Sequence, residues 1–278
     1  MKASWKLGVL VLVLVSLMSP VARAEDKGEG ALDPAQPKGT TPEEIIQKFA
    51  AKEKEFKTAR EQYTYRQSVK VQTLDGDTVD GEYQQVFDVT FDDRRRKVRN
   101  VIFAPQSSLV RIGMSQEDLD DIENRLPFVL TSDEINEYSI LYAGQQQQDE
   151  LHTYAFDIAP KEIEKNKRYF QGRIWVDDHD FQIVKTYGKT VPDIRKKNNE
   201  NLFPKFTTWR EQIDGKYWFP TYTRADDTLH FSGQDVRIRE TVKYTNYKRF
   251  GANVTITYQG QTVEKAPVEK APAEKKPQ

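Results

Sequence analysis

The chain has no cysteine. That excludes disulfides, thiol nucleophiles and thiolate metal sites together. It also removes the thiol to which a bacterial lipoprotein attaches its acyl anchor, so the chain is not itself lipidated by that route. Histidine is scarce: His152, His179 and His230 are the only three, and none stands in an H-E-x-x-H spacing. There is no G-x-S-x-G elbow and no glycine-rich phosphate loop after a strand. Neither sign of charge dominates, with 42 basic residues against 43 acidic. The basic face that nucleic acid requires is therefore missing. After the extreme N-terminus, no run is long and apolar enough to span a bilayer. Together these absences predict no catalytic residues, no metal, no cofactor and no nucleic-acid partner.

What is present begins with an export signal. Lys2 and Lys6 precede an apolar run from Leu7 to Met18, and Ala22-Arg23-Ala24 offers small residues where a signal peptidase reads. The run is too short for a spanning helix. Residues 1–24 are expected to be cleaved after Ala24, with the mature protein in the periplasm. Loss of Lys2, Lys6 and Arg23 leaves 39 basic residues against 43 acidic. Residues 25–39 read as a flexible Gly/Pro/Asp-rich lead. At the other end, Val263 to Gln278 repeats EKAP without aromatics. Such a composition buries too little to offset chain entropy, so residues 259–278 read as a disordered tail. One β-rich domain is expected over 40–258.

That domain opens on a helix. Thr41 is placed to cap it, Pro42 suits its first turn, and Glu44 completes a capping box. Ile45, Ile46, Phe49, Phe56 and Tyr63 recur near helical spacing. A second short helix fits Ser115–Asn124. The rest alternates at period two, as half-buried strands do. Strands are expected from Tyr63 to Val71, Tyr83 to Phe91, Lys97 to Phe103, Glu137 to Tyr142, His152 to Ile158 and Phe170 to Val176. Others follow at Phe181 to Tyr187, Phe206 to Ile213, Tyr217 to Thr223, Val236 to Tyr247 and Val254 to Tyr258. Short turns at Asp177–Asp180 and Asp214-Gly215 make consecutive strands antiparallel. The fold class is α+β: a curved antiparallel sheet, a half-open β-barrel, covered by one or two helices.

Chemistry-bearing clusters are few. His179 sits among Asp177, Asp178 and Asp180, where a hairpin turn accounts for all four. The pairs Asp92-Asp93, Asp120-Asp121 and Asp226-Asp227 read as solvated turns. Arg94-Arg95-Arg96 reads as a solvated turn after Phe91. Aromatics are the remaining signal, at 11% of the chain. A curved sheet with few covering helices has a large concave face, and such a face suits an apolar ligand. The side chains expected to line it are Phe87, Val89 and Phe91, then Tyr154, Phe156 and Ile158. Ile174, Ile183, Val236 and Ile238 extend the row. Ile45, Phe49 and Phe56 of the first helix would cover it.

The middle strands carry a resemblance. Tyr138-Ser139-Ile140-Leu141-Tyr142-Ala143-Gly144 leads to His152–Ala159 and Pro160-Lys161. Then come Phe170–Asp177, containing Ile174-Trp175-Val176-Asp177, and Phe181–Lys185. Trp218-Phe219-Pro220 lies on a late strand. This order resembles the outer-membrane lipoprotein-sorting protein superfamily. Its members include a periplasmic lipoprotein carrier, the outer-membrane receptor for it, and a periplasmic regulator of the envelope stress response. The resemblance implies a half-open barrel with a helical lid and an apolar cavity for acyl chains, and it implies no catalysis. The chain differs in its extra length and long first meander, and it lacks a D-G-x-x-x-W-x-Y strand. The carrier's lid-controlling arginine has no assignable counterpart among Arg94, Arg95 and Arg96. The expected function is a non-enzymatic periplasmic carrier for acyl chains of lipids or lipoproteins. The alternative is a regulatory or interaction module that senses lipid or binds an inner- or outer-membrane partner protein.

Overall fold

The computed structural model describes residues 29–92, 94–124, 126–193, 205–231, 233–249, 257–258 and 261–262. The export signal of residues 1–24 and the tail from residue 263 lie outside them. Helix α1 (Pro42–Arg60) starts as its sequence dictates. Thr41 Oγ1 accepts from Glu44 N at 3.2 Å, and Glu44 reaches back to Thr41 N at 3.4 Å. Helix α2 (Gln116–Asn124) has its own reciprocal cap between Ser115 and Asp118. Ten strands make the fold: β1 (Tyr63–Asp75), β2 (Thr78–Phe91), β3 (Lys97–Phe103), β4 (Tyr138–Gln148) and β5 (Leu151–Pro160) in the first half. In the second half are β6 (Tyr169–Asp177), β7 (Ile183–Val191), β8 (Phe206–Ile213), β9 (Tyr217–Phe231) and β10 (Gln234–Arg249).

They form one antiparallel sheet in the order β3-β2-β1-β10-β9-β8-β7-β6-β5-β4. The sheet is curved but not closed, and the two helices accompany it, as the α+β reading expected. Two meanders are joined by one long-range pairing, β1 on β10, with Val69 opposite Val242. At one point β6 and β7 come very close together. Gly172 and Gly188 are directly paired across β6 and β7. A Cβ on Gly172 would lie 2.1 Å from Tyr187 O. Only glycine lets the strands fold together this closely.

Several details differ from the sequence reading. Asp226-Asp227, expected in a solvated turn, lies inside β9, paired with Arg239 and Ile238 of β10. Asp120-Asp121 lies inside α2 rather than in a turn, and Asp121 is buried where Arg168 pairs with it. The β7 strand begins at Ile183, because Phe181 takes a positive φ of 58° in the turn before it. Thr257–Tyr258 does not close the domain. It pairs with Gln261–Thr262 as a separate small hairpin, and residues 254–256 lie outside the described set. The lead is not free from Glu29 onward. Gly30 N donates to Gln147 O at 2.9 Å, and Asp33 exchanges backbone bonds with Gln145 at 2.7 and 2.8 Å. Tyr142 OH adds a bond to Ala35 O at 3.0 Å. The physical reason is the exposed edge of β4, whose unpaired backbone groups the lead satisfies.

The Asp177–Asp180 turn is built as expected from hairpin chemistry. Asp177 Oδ2 accepts from His179 N and Asp180 N at 3.2 and 2.9 Å. Asp180 Oδ2 also accepts from Trp218 Nε1 at 2.8 Å. These carboxylates therefore hold a turn together.

Candidate functional site

The concave face of the sheet is where the chain gathers its apolar side chains. Alternation along each strand points them to one side. Eleven of the thirteen residues expected there belong to one buried cluster: Ile45, Phe49, Phe87, Val89, Tyr154, Phe156, Ile158, Ile174, Ile183, Val236 and Ile238. Phe49 and Phe156 meet with ring centres 5.7 Å apart. Two residues stand elsewhere. Phe56 joins Tyr63 and Phe219 in a second cluster, because α1 has by then passed the middle of the sheet. Phe91, at the end of β2, is only half-buried.

The concavity is occupied by the protein itself. Phe49, Phe156, Ile174 and Val236 have no exposed surface, so no water-sized space adjoins them. Part of the filling comes from a segment that sequence periodicity did not flag. After α2, Leu126, Phe128 and Leu130 run into the concavity and are buried. Phe128 stacks on Phe170 at 4.4 Å. No backbone hydrogen bond joins residues 109–131 to a strand among the described residues. The cover is held by side chains instead. Thr208 Oγ1 donates to Leu126 O at 2.9 Å. Arg168 grips Asp121 of α2 with two bonds, at 2.6 and 3.0 Å.

One buried ion pair ties the layers together. Arg210 on β8 and Glu53 on α1 meet in two bonds, at 2.9 and 3.2 Å, with both side chains 1% exposed. Arg210 also donates to Ile183 O on β7 and to Phe128 O on the cover. Burial raises the Glu53 carboxyl, and the Arg210 guanidinium opposes that rise. Sequence reasoning missed both residues, although a signal existed. Glu53 lies four residues after Phe49 on the buried stripe, and Arg210 shares a strand face with Phe206 and Thr208.

A second buried acid has no such partner. Glu240 on β10 is 1% exposed, and neither carboxylate oxygen has a hydrogen-bond partner among the described residues. Burial pushes its carboxyl well up, and the nearby Asp118 of α2 adds to the rise. The sign of the pH effect follows. At acidic pH, below the ordinary carboxylate range, the group is protonated whether folded or unfolded, and no penalty arises. As pH rises, the unfolded chain ionises first, so stability falls until the folded carboxyl ionises too. Glu240→Gln should therefore raise the thermal midpoint by a few degrees at pH 8 and much less at pH 4. Equal midpoints for variant and wild type at both values would refute the burial penalty.

The opposite, convex face holds an open groove of about 750 Å³ that includes Leu141, Arg173, Trp175, Lys185 and Tyr187. Lys185 lies 5.1 Å over the Trp175 ring and is paired with Glu29 of the lead. Of the expected site residues only Ile158 borders it. Among the described residues, no helix is long and apolar enough to cross a membrane.

No protein-family model matches the sequence, and no curated protein matches it. Solved structures do resemble it. A DUF1329 family protein from Desulfovibrio piger shares 17% identity over 78% of this chain and 96% of its own, with a TM-score of 0.39. A LolA superfamily protein from Nitrosomonas europaea shares 16% over 76% and 94%, with a TM-score of 0.32. An outer membrane lipoprotein-sorting protein domain from Vibrio parahaemolyticus shares 10% over 72% and 92%, with a TM-score of 0.33.

Proposed function

We propose that this protein is a non-enzymatic binding and carrier protein of the bacterial cell envelope. It works in the periplasm and shelters acyl chains of lipids or lipoproteins between the concave face and its cover. Support comes from the construction of that cover. An unclosed sheet presents a continuous apolar face, and a segment with no backbone bond to the strands among the described residues fills it with Leu126, Phe128 and Leu130. An acyl chain offers the same kind of apolar surface and competes for the same place. Burial stabilises a bound chain by about 0.8 kcal/mol per methylene. Each added methylene should therefore tighten binding about fourfold until the space is full.

The test uses the mature chain from Glu25, purified without detergent. Native mass spectrometry should show bound acyl lipid, and fluorescent fatty acids of increasing length should bind with the stated increments. Phe128→Ala weakens the competitor, so it should raise the affinity for the probe. Arg168→Met loosens α2 without touching the concave face, so it should speed uptake. If wild type and both variants take up no probe of any length, the concave face is ordinary core and the carrier reading is lost.

A further inference from the structure

The sheet has two edges, and the chain treats them differently. The last part of the β4 edge, Gln145 to Gln148, is covered by the backbone of residues 29–33. The β3 edge is left open: β3 pairs with β2 on one side, and no described strand pairs on the other. Every position from Val98 to Phe103 is exposed. Val101 is 58% exposed, Ile102 53% and Phe103 49%. An open, apolar edge is a template for another strand, and proteins ordinarily blunt it.

Charge decides what fits there. Arg94, Arg95, Arg96, Lys97 and Arg99 lie within ten residues that contain no acid. Arg95 reaches Glu61 at 3.6 Å and Arg96 reaches Asp92 at 2.7 Å, but both arginines are 70% exposed. Pairs so exposed are weak, and a competing carboxylate can replace them. A second copy of β3 would bring its own Lys97 and Arg99, with Arg94 to Arg96 beside them, to an already cationic edge, and like charges brought together destabilise a ladder. An acidic strand meets the opposite situation.

We propose that the free edge of β3 binds an extended acidic peptide segment of a partner protein as an eleventh strand. Main-chain bonds to the edge supply affinity. Carboxylates opposite Arg99, Lys97 and the arginine run set the direction, and apolar residues opposite Val101 to Phe103 cover the exposed patch. Run antiparallel, the ligand places its apolar half first and its acidic half last. The proposal stands whether or not the concave face takes an acyl chain.

The experiment titrates the mature protein into a labelled peptide, Val-Val-Ile-Thr-Glu-Val-Glu-Asp-Glu, read by fluorescence anisotropy. The peptide should bind, and raising salt from about 0.05 to about 0.5 M should weaken it about tenfold or more. A peptide with lysine at the acidic positions should not bind. Amide exchange at residues 97–103 should slow on binding, which locates the contact on the backbone of β3. The triple variant Arg94→Glu, Arg95→Glu, Arg96→Glu changes only exposed side chains and should lose most of the affinity. The proposal is overturned if the triple variant binds as wild type does, or if exchange at 97–103 does not change. It is also overturned if those amides are already protected in the free protein by self-association.

Discussion

Arg210→Met should lower stability by about 3–5 kcal/mol, the cost of leaving a buried charge without its partner. The variant keeps roughly the volume of the side chain and removes the guanidinium. Glu53 then loses its bonded counter-charge and keeps only the weaker pull of Arg60, while Phe128 O and Ile183 O each lose a donor. The Phe56 ring, 5.1 Å from the guanidinium, loses its cation. Without Arg210, nothing of comparable strength opposes the effect of burial, and the Glu53 carboxyl rises further. A raised carboxyl gives full stability at acidic pH and loses it as pH rises. The deficit of the variant should therefore be larger at pH 8 than at pH 5, measured by urea denaturation at both. Glu53→Met together with Arg210→Met removes both charges and should recover most of the loss. It does not restore the bond to Phe128 O, so the cover stays looser and the fatty-acid probe should enter faster than in wild type. A single variant within about 1 kcal/mol of wild type would show that the pair does not hold the layers.

Local chemistry was legible, and long-range chemistry was not. Thr41, Pro42 and Glu44 marked the start of α1 because a capping box is written within four residues. Period-two runs marked the strands, and the aspartates at 177–180 marked a hairpin. The pairing of β1 with β10 brings Val69 to Val242, and no local pattern encodes a partner so distant. The lead looked free because Gly, Pro and Asp disfavour regular structure. Only the fold reveals that β4 needs an edge partner. Leu126, Phe128 and Leu130 were overlooked because an apolar run with no helical period reads as neither helix nor cover. The buried charges are the instructive case. Glu53 and Glu240 each interrupt an otherwise apolar row, Glu240 falling between Ile238 and Val242. A charge in such a row is a sign of burial with consequences, whereas composition alone makes it look like solvated surface. Phe56 and Phe91 show the reverse error. Both fit the apolar pattern, yet the end of a helix and the end of a strand lie off the centre of the face.

Gly172→Ala should cost roughly 3 kcal/mol or more, because the added methyl meets atoms that cannot move aside. A Cβ there would lie 2.1 Å from Tyr187 O and 2.5 Å from Gly188 Cα. A Cβ on Gly188 would lie 2.3 Å from Gln171 O and 2.7 Å from the tip of the Phe170 ring. Relief requires β6 and β7 to separate. Phe170 then shifts, and with it the 4.4 Å stack on Phe128 and the 5.8 Å contact with Phe206. One methyl on the sheet thus reaches the cover through the aromatic rings. The measurement is a denaturation curve beside near-ultraviolet dichroism, which should lose intensity as the rings loosen. Gly188→Ala strains the same pair of strands, so the double variant should cost less than the sum of the two singles. Gly113→Ala is the control: a Cβ there meets nothing within 4 Å, and the change should be neutral or stabilising by about 0.4–1 kcal/mol. If Gly172→Ala behaves like the control, the close approach of β6 and β7 is not what holds the aromatic rings against the cover.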